Sequence, residues 1–252
     1  MCQLNTGPKT DISLFSGMEH VESMSDLIDS YYRDYYDSVH GFGALGCSSN
    51  RMHKDLERHR ENQSFARTLE VGAGDLQHSD FVANKSGFYL SSDIRLPRSQ
   101  DLNNGIPIKK AEFVIADTYD LPFANNSFDR LVAGCLILHL SDPFAVVREW
   151  QRVVKETGVI DFLVPCDPGI ASRLFRWLVS ERTAKRFGVS RDLYRLVNRG
   201  EHLNYFGRVV TLTKAALEGD RELRIRYRPF PLVHSWNLNA YAIFSIEAKQ
   251  RA

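Results

Sequence analysis

Thr68-Leu69-Glu70-Val71-Gly72-Ala73-Gly74-Asp75-Leu76-Gln77-His78 is the stretch on which the rest of the 252-residue chain turns. The apolar run over 65–71 predicts a buried strand. Two spaced glycines follow, and their missing Cβ atoms let backbone N–H groups come close to a ligand. The segment beyond them predicts a helix over 76–83, whose N-terminus would gather free N–H groups and partial positive charge. Glu70 closes the strand with a carboxylate. Such a turn suits a nucleotide-like ligand at the carboxyl end of a parallel sheet. A dinucleotide fingerprint would want a third glycine at position 77, where this chain has Gln77.

Working outward, 87–92 predicts a second strand ending at Asp93, about 20 residues beyond the first glycine, the spacing of an acid that grips ribose hydroxyls. A third strand over 111–116 ends at Asp117. Further strands are expected at 128–134, 158–164, 222–227 and 238–247, with helices at 143–154 and 209–217. Strand alternating with helix means a mostly parallel sheet covered on both faces. Upstream, helices are expected over 19–38 and 51–63, separated by a glycine- and serine-rich loop over 40–50 that could act as a hinge. Tyr31, Tyr32, Tyr35 and Tyr36 form aromatic rows that either pack the first helix onto the main domain or lid a ligand. His53 and Lys54 fall at an edge where a solvated basic face and a cofactor contact are both open.

Glu70-Val71-Gly72-Ala73-Gly74, then Asp93, then Asp117 with Leu121-Pro122-Phe123 and Ser127-Phe128-Asp129, resembles the class I S-adenosylmethionine-dependent methyltransferases. The nearest type is the UbiE-like small-molecule group. The likeness runs on through His139-Leu140-Ser141-Asp142-Pro143 and 148–155, covering roughly 50–165. Two departures stand out. Leu76 replaces a usual third glycine and narrows the room around a methionine moiety. Lys155-Glu156-Thr157-Gly158 replaces a usual Lys-Pro-Gly-Gly at what reads as a surface turn.

The resemblance implies an α/β, Rossmann-like seven-stranded sheet, mostly parallel with an antiparallel last strand, helices on both faces and a helical cap. Residues 1–64 would be an N-terminal helical lid and 65–252 the cofactor-binding domain. It implies S-adenosylmethionine as cofactor. Gly72, Ala73 and Gly74 would approach its methionine part and Glu70 would hold that part. Asp93, with Ile94 beside it, would take the ribose. Asp117, with Thr118, would take the adenine. Gly134 and Cys135 would border the sulfonium. For the general base, His139 comes first and His202 is its rival, with Tyr205 as an assistant; for His139 a hydrogen-bonded structural role is open as well.

Composition fits a globular protein of one large domain: 43% hydrophobic, 25% charged, net charge +1. That charge implies neither nucleic acid nor an anionic membrane. No apolar run reaches the roughly 18 residues of a membrane span, and the N-terminus is too polar for a signal peptide. Cys2, Cys47, Cys135 and Cys166 are scattered and read as reduced thiols, with no metal site, in a cytoplasmic protein. The segment 165–208 is long for a crossover. It carries nine basic residues against four acids. If it caps the site, the acceptor is an anionic small molecule or glycan precursor, methylated on a hydroxyl oxygen. The competing readings are a non-catalytic partner subunit of the same fold, binding the cofactor weakly or not at all, and a nicotinamide oxidoreductase, disfavoured by Gln77. Nucleic-acid methylation is disfavoured as well, since Gly134-Cys135-Leu136-Ile137 stands where Asn/Asp-Pro-Pro-Tyr would be expected.

Overall fold

The computed structural model describes residues 31, 35, 43–82, 87–97, 111–230 and 232–249. Helix α1 (Gly43–Arg58) leads into strand β1 (Arg67–Val71), a short 3-10 turn (Gln77–Phe81), β2 (Phe88–Asp93), β3 (Ala111–Ile115) and β4 (Phe128–Ala133). A second 3-10 turn (Leu136–His139) precedes α2 (Pro143–Val153) and β5 (Val154–Pro165). Helices α3 (Ile170–Phe175), α4 (Glu181–Arg186) and α5 (Arg191–Glu201) follow, with a π turn at Arg176–Ser180 between the first two. Helix α6 (Phe206–Ala216), β6 (Arg221–Arg228) and β7 (Tyr241–Ala248) come last among the described elements. The sheet order is β3-β2-β1-β4-β5-β7-β6. β1 to β5 pair in parallel, and β7 runs antiparallel to both β5 and β6. This is the seven-stranded sheet expected.

Alternation along the strands divides the core in two. Leu69, Leu131, Ala133, Phe162 and Phe244 meet Trp150 of α2 and Val209 of α6 on one face. Val132, Leu163, Tyr241 and Ile243 meet Leu56 of α1 on the other. Asp142 caps α2, accepting from the N–H groups of Phe144 and Ala145, with Pro143 in its first turn.

Several expectations need correction. Residues 43–50 are helical rather than a hinge loop, and α1 ends at Arg58. Packing overrides the weak helix propensity of its glycines and serines: Leu45 seats against the cap, and Met52 and Leu56 on the sheet. The helix expected over 76–83 is only one 3-10 turn. The expected surface turn at 155–158 belongs to β5, where the register with β4 shifts between Phe128 and Arg130. Gly158 is needed there, because a Cβ would sit 2.7 Å from the Asp129 carbonyl oxygen. The reduced-thiol reading fails for Cys47, which is disulfide-bonded, while Cys135 and Cys166 are free. The helix expected over 19–38 lies outside the described residues except for Tyr31 and Tyr35. Both are buried against Ala184, Val189, Tyr194 and Val197 of the cap, which bears out packing for these two rings. No described helix is long and apolar enough to cross a membrane.

Candidate active site

Parallel strands deliver their carboxyl ends to one edge of the sheet, and the chain places its turn and its acids there. Gly72 and Gly74 have φ of 66° and 52°, a conformation that disfavours side chains. A Cβ at Gly72 would also strike the Leu136 side chain at 2.8 Å. The Ala73 N–H donates to the Ser92 carbonyl, tying the loop to the tip of β2. The Gly74 N–H donates to Asp93 Oδ2 at 2.9 Å. Asp93 thus shapes the turn, and its Oδ1 accepts from the Arg95 N–H.

Asp117 follows β3 on the neighbouring tip, exposed, its Oδ1 accepting from the Tyr119 N–H. Exposed Ile94 and Ile115 stand by these two acids and offer an apolar surface to a flat ring. Thr118 instead turns inward, its hydroxyl accepting from the Trp150 indole at 2.8 Å. A Cβ at Gly74 or at Gly134 would meet nothing within 4 Å, so there is room above β1 and β4. These two acceptors and the open space fit an adenosyl group. Cys135 is half-buried beside Gly134, and burial pushes its thiol up to about 12, which leaves it inert.

Glu70 is only 3% exposed. Its Oε2 accepts from the hydroxyls of Tyr89 and Ser91, and burial pushes its carboxyl up from the ordinary range. A structural duty is therefore already built into it. Leu76 adopts φ 64°, so the backbone follows the left-handed path with a side chain in place of the third glycine. That conformation costs about 1–2 kcal/mol, offset by about 0.5–1 kcal/mol of chain entropy that a glycine would add. Leu76→Gly should therefore be neutral or stabilise by up to about 1 kcal/mol in urea unfolding; a clear loss would show that the leucine side chain holds the loop.

Sequence reading missed what lies under this loop. His78 is buried, its Nε2 3.0 Å from Glu57 Oε1 and its Nδ1 3.1 Å from His53 Nδ1. His53 also stacks on Phe81, so the edge residues His53 and Lys54 both touch the turn that follows the glycines. Glu57 in turn receives two hydrogen bonds from Arg130. Arg130 and Arg60 both donate to the wholly buried Asp161. No single residue type signals such a network, because its members come from α1, the residues just after it, the glycine loop, β4 and β5.

The two rival histidines prove to be neighbours. His139, ending the turn after β4, and His202, ending α5, have ring centroids 5.1 Å apart in an edge-to-face arrangement. His139 Nδ1 faces Glu201 Oε2 at 3.8 Å. Burial lowers the His139 pKa, with Glu201 opposing. Burial and then His139 push His202 down to about 4. The pair is neutral at neutral pH. Buried Asn204 fixes it: its side-chain amide donates to the carbonyls of Ile137 and Leu140, and its backbone N–H to that of Leu138. Asp167, just past β5, pairs with Arg176, and its buried Oδ1 has no hydrogen-bond partner among the described residues. Tyr205 is exposed, its ring lying against Gly207 at the start of α6.

Comparison with known proteins finds methyltransferases. Residues 69–162 match the family model of a methyltransferase domain. The chain is 25% identical over 136 residues to the methyltransferase GfsG of Streptomyces halstedii, covering 52% of this chain and 49% of that one, so it spans about half of that relative's length. It is 27% identical to the demethylmenaquinone methyltransferase of Roseiflexus castenholzii, over 81% of this chain and 74% of that one. It is 32% identical to the ubiquinone/menaquinone biosynthesis C-methyltransferase UbiE of Coxiella burnetii, over 54% of this chain and 57% of that one. In fold it is similar to the plantazolicin methyltransferase BpumL, solved with S-adenosylhomocysteine, at TM-score 0.63 and 12% identity over 88% of this chain and 94% of that one.

Proposed function

We propose that the chain is a class I S-adenosylmethionine-dependent methyltransferase, and that its acceptor is a hydroxylated ring of quinol type, methylated on a ring carbon beside the hydroxyl. The observation that carries this reading is the edge-to-face pair of His139 and His202, held by Asn204 in the turn that follows β4 and Gly134.

S-adenosylmethionine supplies an activated methyl group when bound. Asp93 would hold its ribose and Asp117 its adenine, with Ile94 against the ring. Gly72, Ala73 and Gly74 would line its methionine part, above Glu70. His139 removes the phenolic proton through Nε2, the nitrogen turned from Glu201, and Glu201 steadies the imidazolium that forms. Asp167 Oδ1 is an acceptor without a donor among the described residues and suits the acceptor's second hydroxyl. The phenolate left behind carries electron density on the neighbouring ring carbon, to which the methyl group would bond as its bond to sulfur breaks. That carbon's own proton would then be lost to solvent while the His139 imidazolium returns its proton to the ring oxygen, restoring both the aromatic ring and the base.

The anionic acceptor expected from the cap's arginines has less support. Arg176 is paired with Asp167, Arg191 and Arg195 with Glu181, and Arg182 lies over the Trp177 ring. The carbon rather than the oxygen is favoured by the Coxiella relative, a C-methyltransferase. The test is incubation with S-adenosylmethionine and a reduced 1,4-naphthoquinone carrying a free ring position, with the product analysed by mass spectrometry and NMR. A new ring methyl is expected. A methyl ether, or no product, would reject the reading.

A further inference from the structure

We infer that the loop between β6 and β7, together with the first helix of the cap, forms a face that docks on anionic lipid bilayers. The loop is built to show its apolar side chains. Asn239, wholly buried, receives the Phe230 N–H and donates to the carbonyls of Val233 and Ser235, so the loop's polar backbone is satisfied from within. Phe230, Val233, Trp236 and Leu238 stay exposed, and Leu232 is 91% exposed. Exposed side chains of this size on a well-tied loop mark an interaction surface.

The cap extends the same surface. The Ala171 N–H donates to the Asn237 carbonyl at 2.9 Å. Gly169 approaches so closely that a Cβ would lie 2.7 Å from the Trp236 carbonyl oxygen. From this seam Ile170, Leu174, Trp177 and Leu178 run along one helical stripe, all exposed.

Charge selects the occupant. The sequence has no carboxylate between Asp167 and Glu181, and none between Glu222 and Glu247. Exposed Arg173, Arg182, Lys185 and Arg186 border the stripe. Aromatic and aliphatic side chains ringed by cations fit the interface of an anionic bilayer, where rings settle at headgroup level and cations meet phosphate. The face also opens beside the catalytic edge. Pro165 at the end of β5 pairs with Tyr241, so cap and loop both leave the sheet at the strand tips. An acceptor dissolved in lipid would enter there, although docking itself does not depend on which acceptor is used.

The experiment is co-sedimentation of the full chain with vesicles of phosphatidylcholine alone or mixed with phosphatidylglycerol. Binding is expected to the mixed vesicles, weakened by raised salt and weak on neutral ones. Leu232→Asp and Trp177→Glu should each lower it about tenfold or more, with S-adenosylhomocysteine affinity by calorimetry unchanged. No sedimentation with mixed vesicles would overturn the inference, and so would binding indifferent to both substitutions. Analytical ultracentrifugation showing a dimer that these same substitutions split would assign the face to a second copy instead.

Discussion

Asp161→Ala is expected to cost about 3–5 kcal/mol of folding stability, measured by urea unfolding. Its carboxylate is wholly buried in the middle of β5. It accepts two hydrogen bonds from Arg60, one from Arg130 and one from Ser245, with His59 Nε2 3.1 Å away. Removing it leaves two buried guanidinium groups without that counter-charge, a far larger penalty than the net worth of the intact set. For a domain stable by about 5–15 kcal/mol, much of the folded population would be lost. The same network sets an acid limit. Burial alone would raise the Glu57 carboxyl, but the hydrogen bond with His78 and the charge of Arg130 outweigh it and hold it down to about 2. A carboxyl lowered on folding stabilises above its unfolded pKa, and that contribution fades as pH falls from the ordinary carboxylate range toward 2. A loss under about 1 kcal/mol in Asp161→Ala would mean that the network is not what ties α1 to the sheet.

His139→Ala should lower turnover by roughly 10²–10⁴-fold while cofactor affinity stays put, because general-base catalysis contributes on that scale. His202→Ala should cost less, since His202 packs edge-to-face on His139 and does not take the proton itself. The pH profile separates this role from a structural one. Both imidazoles are pushed below the usual histidine value, His202 to about 4. A base must be unprotonated, so kcat/KM should hold as pH falls through about 6.5 and decline only beneath it. The inflection belongs to the coupled pair. An inflection at an ordinary histidine value, or unchanged turnover in both variants, would remove the histidines from the mechanism.

The fold was legible because its signals are local. The run into Val71, the glycines at 72 and 74, and Asp93 at ribose spacing all fall within 30 residues, and the strands stand where apolar runs end in acids. Leu76 looked like an obstacle, yet the backbone bends there just as a glycine would. What stayed hidden depends on partners far apart in the chain. Arg130 reads as one more charge beside a strand until Glu57 and Asp161 close on it. His139 and His202 looked like alternatives because 63 positions of sequence separate them, while α5 and Asn204 bring them together. Serines and glycines over 43–50 read as a hinge, since only tertiary packing makes them helical.

The central claim is that the tips of β1, β2 and β3 hold an adenosyl group, and calorimetry with S-adenosylhomocysteine tests it most directly. The wild-type chain should bind one equivalent, and Asp93→Ala, folded by circular dichroism, should bind roughly 10–100-fold more weakly, the worth of charge-assisted hydrogen bonds to ribose. A wild-type chain that takes up none, or an alanine variant that binds as tightly as its parent, would contradict the account.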